Sequence, residues 1–536
     1  MAGSLAGTLD DMRTLAIGVA FAGALCAADL AKEGARWWSH IAVLADDKME
    51  GRNAGSPGHR RAAEYLAGEF ERAGLKPAGT SGYLQPVPFK VAQIVEEQSS
   101  LAIVKLGKVT PIKLGEEATL TARPSLAEHV DAEAVFCGYG LAIPEYKFDD
   151  FAGLDLKGKI IVYVTGGPNQ VPGALRSHYS SREERWKAAR KTGAIGLVAI
   201  ANPKSLDIPW ARSTLSRLNA TMALADENLA EAAGQQFGAT INPAYADKIL
   251  AGSGHTFAEI LALADAGKAL PRFKLNLSLR ATLKMQLSGT ESQNVIGLLP
   301  GSDPKLKDEY VVFGGHLDHL GVGGAVNGDT IYNGAMDDGS GIASMIEVAI
   351  LAQEEKLKFR RSVLFVAVTG EEKGLLGSRY FSAHPTVPMR NIVADINMDM
   401  YLPLYPLKYL EVQGLGESTL GSDIRAVAEK AGVIVQADKE PERNLFIRSD
   451  QYNFIKSGVP ALAFKFGYDK GSPEEKLAKD WLRDRYHAPS DDLNQPVDRP
   501  AAAKFDRIML ELGARVANGE ARPQWNDDSF FRRFAR

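Results

Sequence analysis

Residues 310–321 read Tyr-Val-Val-Phe-Gly-Gly-His-Leu-Asp-His-Leu-Gly: an apolar, partly β-branched run closes on two glycines and then delivers His316 and Asp318. Such a run bounded by glycine is the pattern of a buried strand, so the two chemistry-bearing side chains stand just past its carboxyl end. The pattern recurs downstream. Strands expected at Tyr310–Gly314, Ser362–Thr369, Ile392–Asn397 and Pro460–Phe466 are separated by helical stretches. This alternation predicts an α/β fold with a mostly parallel mixed sheet flanked by helices.

In open α/β sheets the functional crevice lies beyond the carboxyl ends of the strands. The first strand supplies His316 and Asp318. The stretch Asn-Gly-Ala-Met-Asp-Asp-Gly-Ser-Gly over 333–341 places Asp337 and Asp338 before a helix, Ser362–Thr369 is followed by Glu371 and Glu372, Ile392–Asn397 by Asp399, and Tyr486 and His487 follow late in the chain. Imidazoles and carboxylates crowded on one sheet edge would perturb one another strongly if left bare, and divalent cations resolve the conflict. Mixed nitrogen and oxygen donors without cysteine suit zinc, cobalt or manganese, and the imidazole content favours zinc. Two histidines, one glutamate and two aspartates suffice for two metals if one aspartate bridges. The spacing of His316 and Asp318 suggests that the Asp318 carboxylate accepts a hydrogen bond from the free ring nitrogen of His316. Glu371 and Glu372, being adjacent, point in different directions, so one can ligate while the other takes a proton from water.

The wider chain fits an enzyme. It has 536 residues, 45% of them hydrophobic, with 62 Lys and Arg against 66 Asp and Glu for a net charge of −4. That composition excludes a disordered, collagen-like or multi-span membrane chain and removes the electrostatic case for nucleic acid. Residues Leu15–Leu25 form an apolar run followed by small residues, which reads as a signal peptide over 1–28, with Met12 a better start than Met1 because Arg13 then supplies the positive flank. Export to the periplasm or medium follows as an expectation, without a stable membrane span. Cleavage there would leave Cys137 without an internal disulfide partner. Trp37 to Leu75 reads as helical, ended by Gly74. Between 126 and 287 short β-branched runs broken by Gly, Pro and Asp suggest a β-rich inserted domain, which divides the rest into 29–125 and 288–536. The tail from Arg522 onward is aromatic and basic and suggests no function. No P-loop, dinucleotide fingerprint, HExxH or GxSxG motif is present.

Taken in order, His316-x-Asp318, Gly334-Ala335-x-Asp337-Asp338-x-Ser340-Gly341, Glu371-Glu372-x-Gly374-Leu375-x-Gly377-Ser378, Asn397-x-Asp399 and Tyr486-His487 with Ser490-Asp491 resemble the co-catalytic di-zinc aminopeptidases of peptidase family M28, clan MH. The insertion resembles a protease-associated (PA) domain through Gly138-Tyr139-Gly140, the run Leu154–Val162 and the Lys191–Gly196 turn. The resemblance implies a two-zinc peptidase acting on peptides, in which Asp337 bridges, Glu372 and His487 complete one site, and His316 and Asp399 complete the other. It further implies Glu371 as general base, Tyr486 as oxyanion stabiliser, and Arg448, Ser449 and Asp450 near the substrate. Gln451 stands where many relatives carry His. His319 is expected to support or be solvated rather than ligate. Release of N-terminal residues is the main expectation; carboxypeptidase or dipeptidase specificity, a single-zinc glutaminyl cyclase and a non-catalytic receptor remain as alternatives.

Overall fold

A computed structural model describes residues 28–535 except 206, 207, 442 and 444; the expected leader and Cys26 lie outside the described residues. The polypeptide builds two large sheets. The first has ten strands, and at its centre Ser362–Val368, Tyr310–His316, Ile392–Asn397 and Ala461–Gly467 lie side by side and parallel. These are the four expected strands, each shifted by no more than two residues at an end. Antiparallel strands extend both flanks: Leu84–Ile94 and Met285–Leu299 on one side, Tyr409–Gln413 on the other. The sheet is therefore mixed, with the parallel part in the middle, where burial on both faces demands the continuous apolar runs seen in the sequence.

Helices cover the two faces. Gly339–Glu354 is buried along nearly its whole length, and Arg499–Asn518 packs over the same face. The N-terminal helix, 28–44, is pinned to that layer by Trp37, whose indole N–H donates to Ser344 Oγ at 3.1 Å, and by Arg36, which pairs with buried Glu347 at 2.8 Å. The expected single helical stretch from Trp37 to Leu75 is interrupted: 3-10 turns over Asp47–Arg52 separate 28–44 from Pro57–Arg72. Ser56 caps the second helix and Pro57 opens it, which explains the break.

The second sheet has eight strands, of which His129–Cys137, Ile160–Val164, Gly196–Ile200 and Phe237–Ile241 run parallel. It begins earlier than the expected 126. The hairpin Ser100–Lys105 with Lys108–Ile112 pairs with Arg272–Thr282 and belongs to this sheet, a non-local pairing that no local pattern announces. One segment returns: Thr221–Leu224 adds an edge strand to the first sheet against Leu84–Ile94. The aromatic tail also lies at the seam. Phe531 is buried with Phe446, Tyr452 and Trp525, while Arg533 pairs with Glu145 of the second module. His178 Nδ1 meets the Tyr452 hydroxyl at 2.7 Å across the same seam. The tail thus closes the contact between the two modules. Among the described residues no helix is long and apolar enough to cross a membrane.

Candidate metal centre

The strand-end residues converge. His316 Nε2 lies 3.2 Å from Asp337 Oδ1 and 3.5 Å from Asp399 Oδ1. On the other side, His487 Nε2 lies 3.3 Å from Asp337 Oδ2 and 3.4 Å from Glu372 Oε2. Asp337 therefore turns one oxygen to each set. Donors held roughly 2.0 Å from one tetrahedral ion sit roughly 3.3 Å from each other, so these separations are those of ligands around a cation. The buried Asp337 Oδ2, Glu372 Oε1 and both ring nitrogens of His319 lie beside one another without making well-formed hydrogen bonds, a costly arrangement for polar groups that a cation among them would relieve. The donor set thus fits divalent metals of the zinc type.

The ligand loops are held by buried groups that the sequence disguised. Asp338 caps the helix Gly339–Glu354 by accepting from the Gly341 N–H at 2.9 Å, and also accepts from the N–H groups of His316 and Met400, each at 3.1 Å. One carboxylate so ties together the segments carrying His316, Asp337 and Asp399. Asp491 accepts from the Met336 and Asp337 N–H groups at 2.9 and 3.1 Å. Arg52, 1% exposed, donates to the carbonyls of Leu44, Leu317, Asn333 and Gly334, bracing two ligand loops from the N-terminal segment. Gly334 must be glycine: its φ is +62°, and a Cβ there would meet the His319 ring at 2.5 Å. Arg52 carried no motif signal, since a lone arginine between turns resembles any surface residue.

The expected partner of His316 needs correction. Its Nδ1 meets the backbone carbonyl of Asp318 at 2.9 Å, whereas the nearer carboxylate oxygen stands 4.0 Å away. The Asp318 carboxylate instead accepts from the N–H groups of Glu371 and Glu372, at 3.1 and 3.4 Å. It anchors the turn bearing both glutamates. His319 is not solvated: it is fully buried, with Nδ1 at 2.8 Å from Glu372 Oε1. His319, Asp337 and Glu372 form a group whose ligand atoms lie within 4.8 Å of each other, as do His316, Asp337 and Asp399.

The remaining expected residues divide. Glu371, Tyr486 and Arg448 line two cavities, of about 390 and 530 Å³, which meet at this centre. Ser449 lines the smaller one and accepts from Asn397 Nδ2 at 3.3 Å. Gln451, also in that wall, receives a hydrogen bond from the same amide. Asp450 does not reach either cavity; it is buried and accepts from the Ser378 hydroxyl at 2.5 Å, so its place is structural.

Electrostatics separates the carboxylates. Burial, with Glu372, Asp450 and Asp399 nearby, pushes Glu371 well above the ordinary carboxylate range. Burial acts the same way on Asp337, but His316 and His487 outweigh it and hold Asp337 well below that range. Burial likewise opposes charge on His487, yet Glu372 and Asp337 lift it to about 9. Glu372, beside Glu371 in the chain, shifts the other way: burial raises it too, but His487 and His319 outweigh that burial and lower it. Adjacent acids with opposed shifts mark a divided task.

Residues 294–513 match the family model described as peptidase family M28. This part of the chain is a family M28 domain. Its sequence is similar to a probable leucine aminopeptidase 2 of Aspergillus fumigatus, 29% identical over 247 residues, and to aminopeptidase Y of Saccharomyces cerevisiae, 28% identical over 250 residues. Those alignments cover 44% and 45% of this chain, and 46% and 42% of the relatives, so the chain spans under half the length of these two curated relatives. A solved aminopeptidase from Aneurinibacillus sp. strain AM-1 shares the fold, with a TM-score of 0.54 and 20% identity over 91% of this chain and 95% of that one.

Proposed function

We propose that the chain is an exported zinc-dependent aminopeptidase that holds two zinc ions, one on His316, Asp337 and Asp399 and the other on Asp337, Glu372 and His487. The observation that carries this reading is Asp337, whose two oxygens face His316 and His487 at 3.2 and 3.3 Å. When bound, the ions polarise a peptide carbonyl and make water nucleophilic near neutral pH.

The chain's own groups supply the rest. Glu371, a wall of both cavities and kept proton-avid by burial, takes the proton of the attacking water and returns it to the leaving amine nitrogen. Asp318 positions Glu371 through its backbone N–H. Burial and the nearby Asp337 and Glu372 keep the Tyr486 hydroxyl protonated, so it can donate to the oxygen that becomes negative as water adds. Met400, Leu402, Tyr405, Phe464 and Phe466 contribute to the 390 Å³ cavity, which suits the side chain of the N-terminal residue. The PA-like second module narrows access, and the apolar leader supports export to the periplasm or medium.

Metal analysis coupled with hydrolysis of free-amine and N-blocked peptides, before and after chelation, tests the reading. About two metals per chain and chelator-sensitive release of N-terminal residues from unblocked peptides are expected. Cleavage of N-blocked peptides would replace it with a carboxypeptidase, and one metal with cyclised product would replace it with a cyclase.

A further inference from the structure

The larger cavity carries a surplus of positive charge. Arg123, Arg182 and Arg212 line it together with Glu371, Tyr486 and His487, so one continuous space of about 530 Å³ joins the arginines to the candidate centre. Arg123 and Arg182 share a single carboxylate, Glu231, at 4.0 and 3.8 Å, and that carboxylate is hydrogen-bonded to a third arginine, Arg379. The Nε and Nη2 atoms of Arg212 are buried without any hydrogen-bond partner. Elsewhere in the same wall the chain does satisfy its cations: Arg217 makes a two-pronged pair with Glu96 at 2.7 and 2.8 Å. Of Arg123, Arg182, Arg212 and Arg217, Arg212 is the one with buried N–H groups left unpaired.

The buried unpaired N–H groups of Arg212 are unfavourable, Arg123 and the exposed Arg182 have one carboxylate between them, and a further carboxylate would engage all three with charge-assisted hydrogen bonds. Burial and the neighbouring Arg182 press in the same direction on Arg123, bringing it down to about 9. The two cavities share Glu371, Arg448, Tyr486 and His487, so a scissile peptide bond at the centre has one flank in each. A peptide's ammonium end is repelled by three arginines, and its carboxylate end is attracted.

We propose that Arg123, Arg182 and Arg212 form a carboxylate-binding site for the leaving side of the substrate, which makes short peptides with a free C-terminus, or peptides acidic just after the scissile bond, the favoured class. This deepens the peptidase reading and rests on it. The test compares kcat/KM for a free-amine dipeptide with its C-terminal amide, and for amidated tripeptides carrying Asp or Ala after the scissile bond. At least about a tenfold preference for the carboxylate partner is expected, since a site built around a charged group rejects the analogue that lacks it. Preference only in the first pair assigns the site to the α-carboxylate, and preference only in the second to a side chain. Arg212→Gln should collapse the ratio towards one, Arg212→Lys should retain part of it, and Arg123→Gln gives an independent check. Equal rates for both pairs, or a ratio unmoved by Arg212→Gln, would overturn the site while leaving the peptidase reading intact. Failure to cleave any peptide, amides included, would overturn the peptidase reading. Titration of the intact protein with the leaving amino acid and its amide then decides the site separately: tighter binding of the acid, lost in Arg212→Gln, supports it, and equal binding overturns it.

Discussion

The two sheets contain the same construction and put it to different use. Each has four parallel strands, His129–Cys137, Ile160–Val164, Gly196–Ile200 and Phe237–Ile241 in one and Tyr310–His316, Ser362–Val368, Ile392–Asn397 and Ala461–Gly467 in the other. Within four residues past those ends the second module offers no His, Asp or Glu, while the first sheet offers Asp318, His319, Glu371, Glu372, Asp399 and Asp469, with His316 the last residue of its strand. Parallel strands create a crevice wherever they end. Which residues stand there decides whether the crevice does chemistry. The difference extends to buried acids: Asp338 and Asp491 serve ligand loops, whereas Asp150 of the second module serves its own turn, accepting from the Tyr139 and Leu141 N–H groups at 2.9 and 3.2 Å.

Four substitutions probe that contrast, in falling order of effect. Asp337→Asn should empty both metal sites and abolish activity; metal analysis showing loss of one ion alone would deny the bridging role. Glu371→Gln should keep the metals and lose about 10²- to 10⁴-fold in kcat, as removal of a general base does. Normal turnover with metals in place would exclude Glu371 as base. Asp318→Ala should cost about 10- to 100-fold in activity, because the glutamate turn loses its anchor, and it should move kcat more than KM; unchanged kinetics would show that the turn holds itself.

The fourth acts on stability alone. Burial pushes Asp150 up to about 7 from 3.8. A proton then binds the folded module more tightly than the unfolded chain, so this stabilisation is complete below the unfolded value and is lost as pH rises towards 7. The change amounts to at most about 4 kcal/mol. Thermal unfolding of the wild type should therefore weaken between pH 4 and 7 more than that of Asp150→Asn. Parallel curves would remove Asp150 as the cause.

The strand-end reading drew attention to His316, Glu372 and Asp399 because both required signals are local: an apolar run, and a His, Asp or Glu at its end or within four residues past it. Asp337 and His487 stand before and after helices and carry no such signal. The same reading misjudged Asp318, whose neighbour in sequence suggested His316 while its carboxylate reaches Glu371 and Glu372, 53 and 54 positions away. It placed Asp450 near substrate from a motif, yet packing turns that side chain towards Ser378.

Sequence alone thus determined the four central strands, the acidic and imidazole character of their ends, and the separate texture of the inserted module, since each depends on residues within one element or one turn. Tertiary structure decided what joins elements. It set the braces Arg52, Asp338 and Asp491, the hairpin Ser100–Ile112 drawn into the second sheet, the tail locked across the seam, and the arginines gathered opposite the candidate centre. Those features arise when side chains distant along the chain are buried together and must find partners there. No periodicity records such a requirement, because the partner is fixed only once the chain has folded.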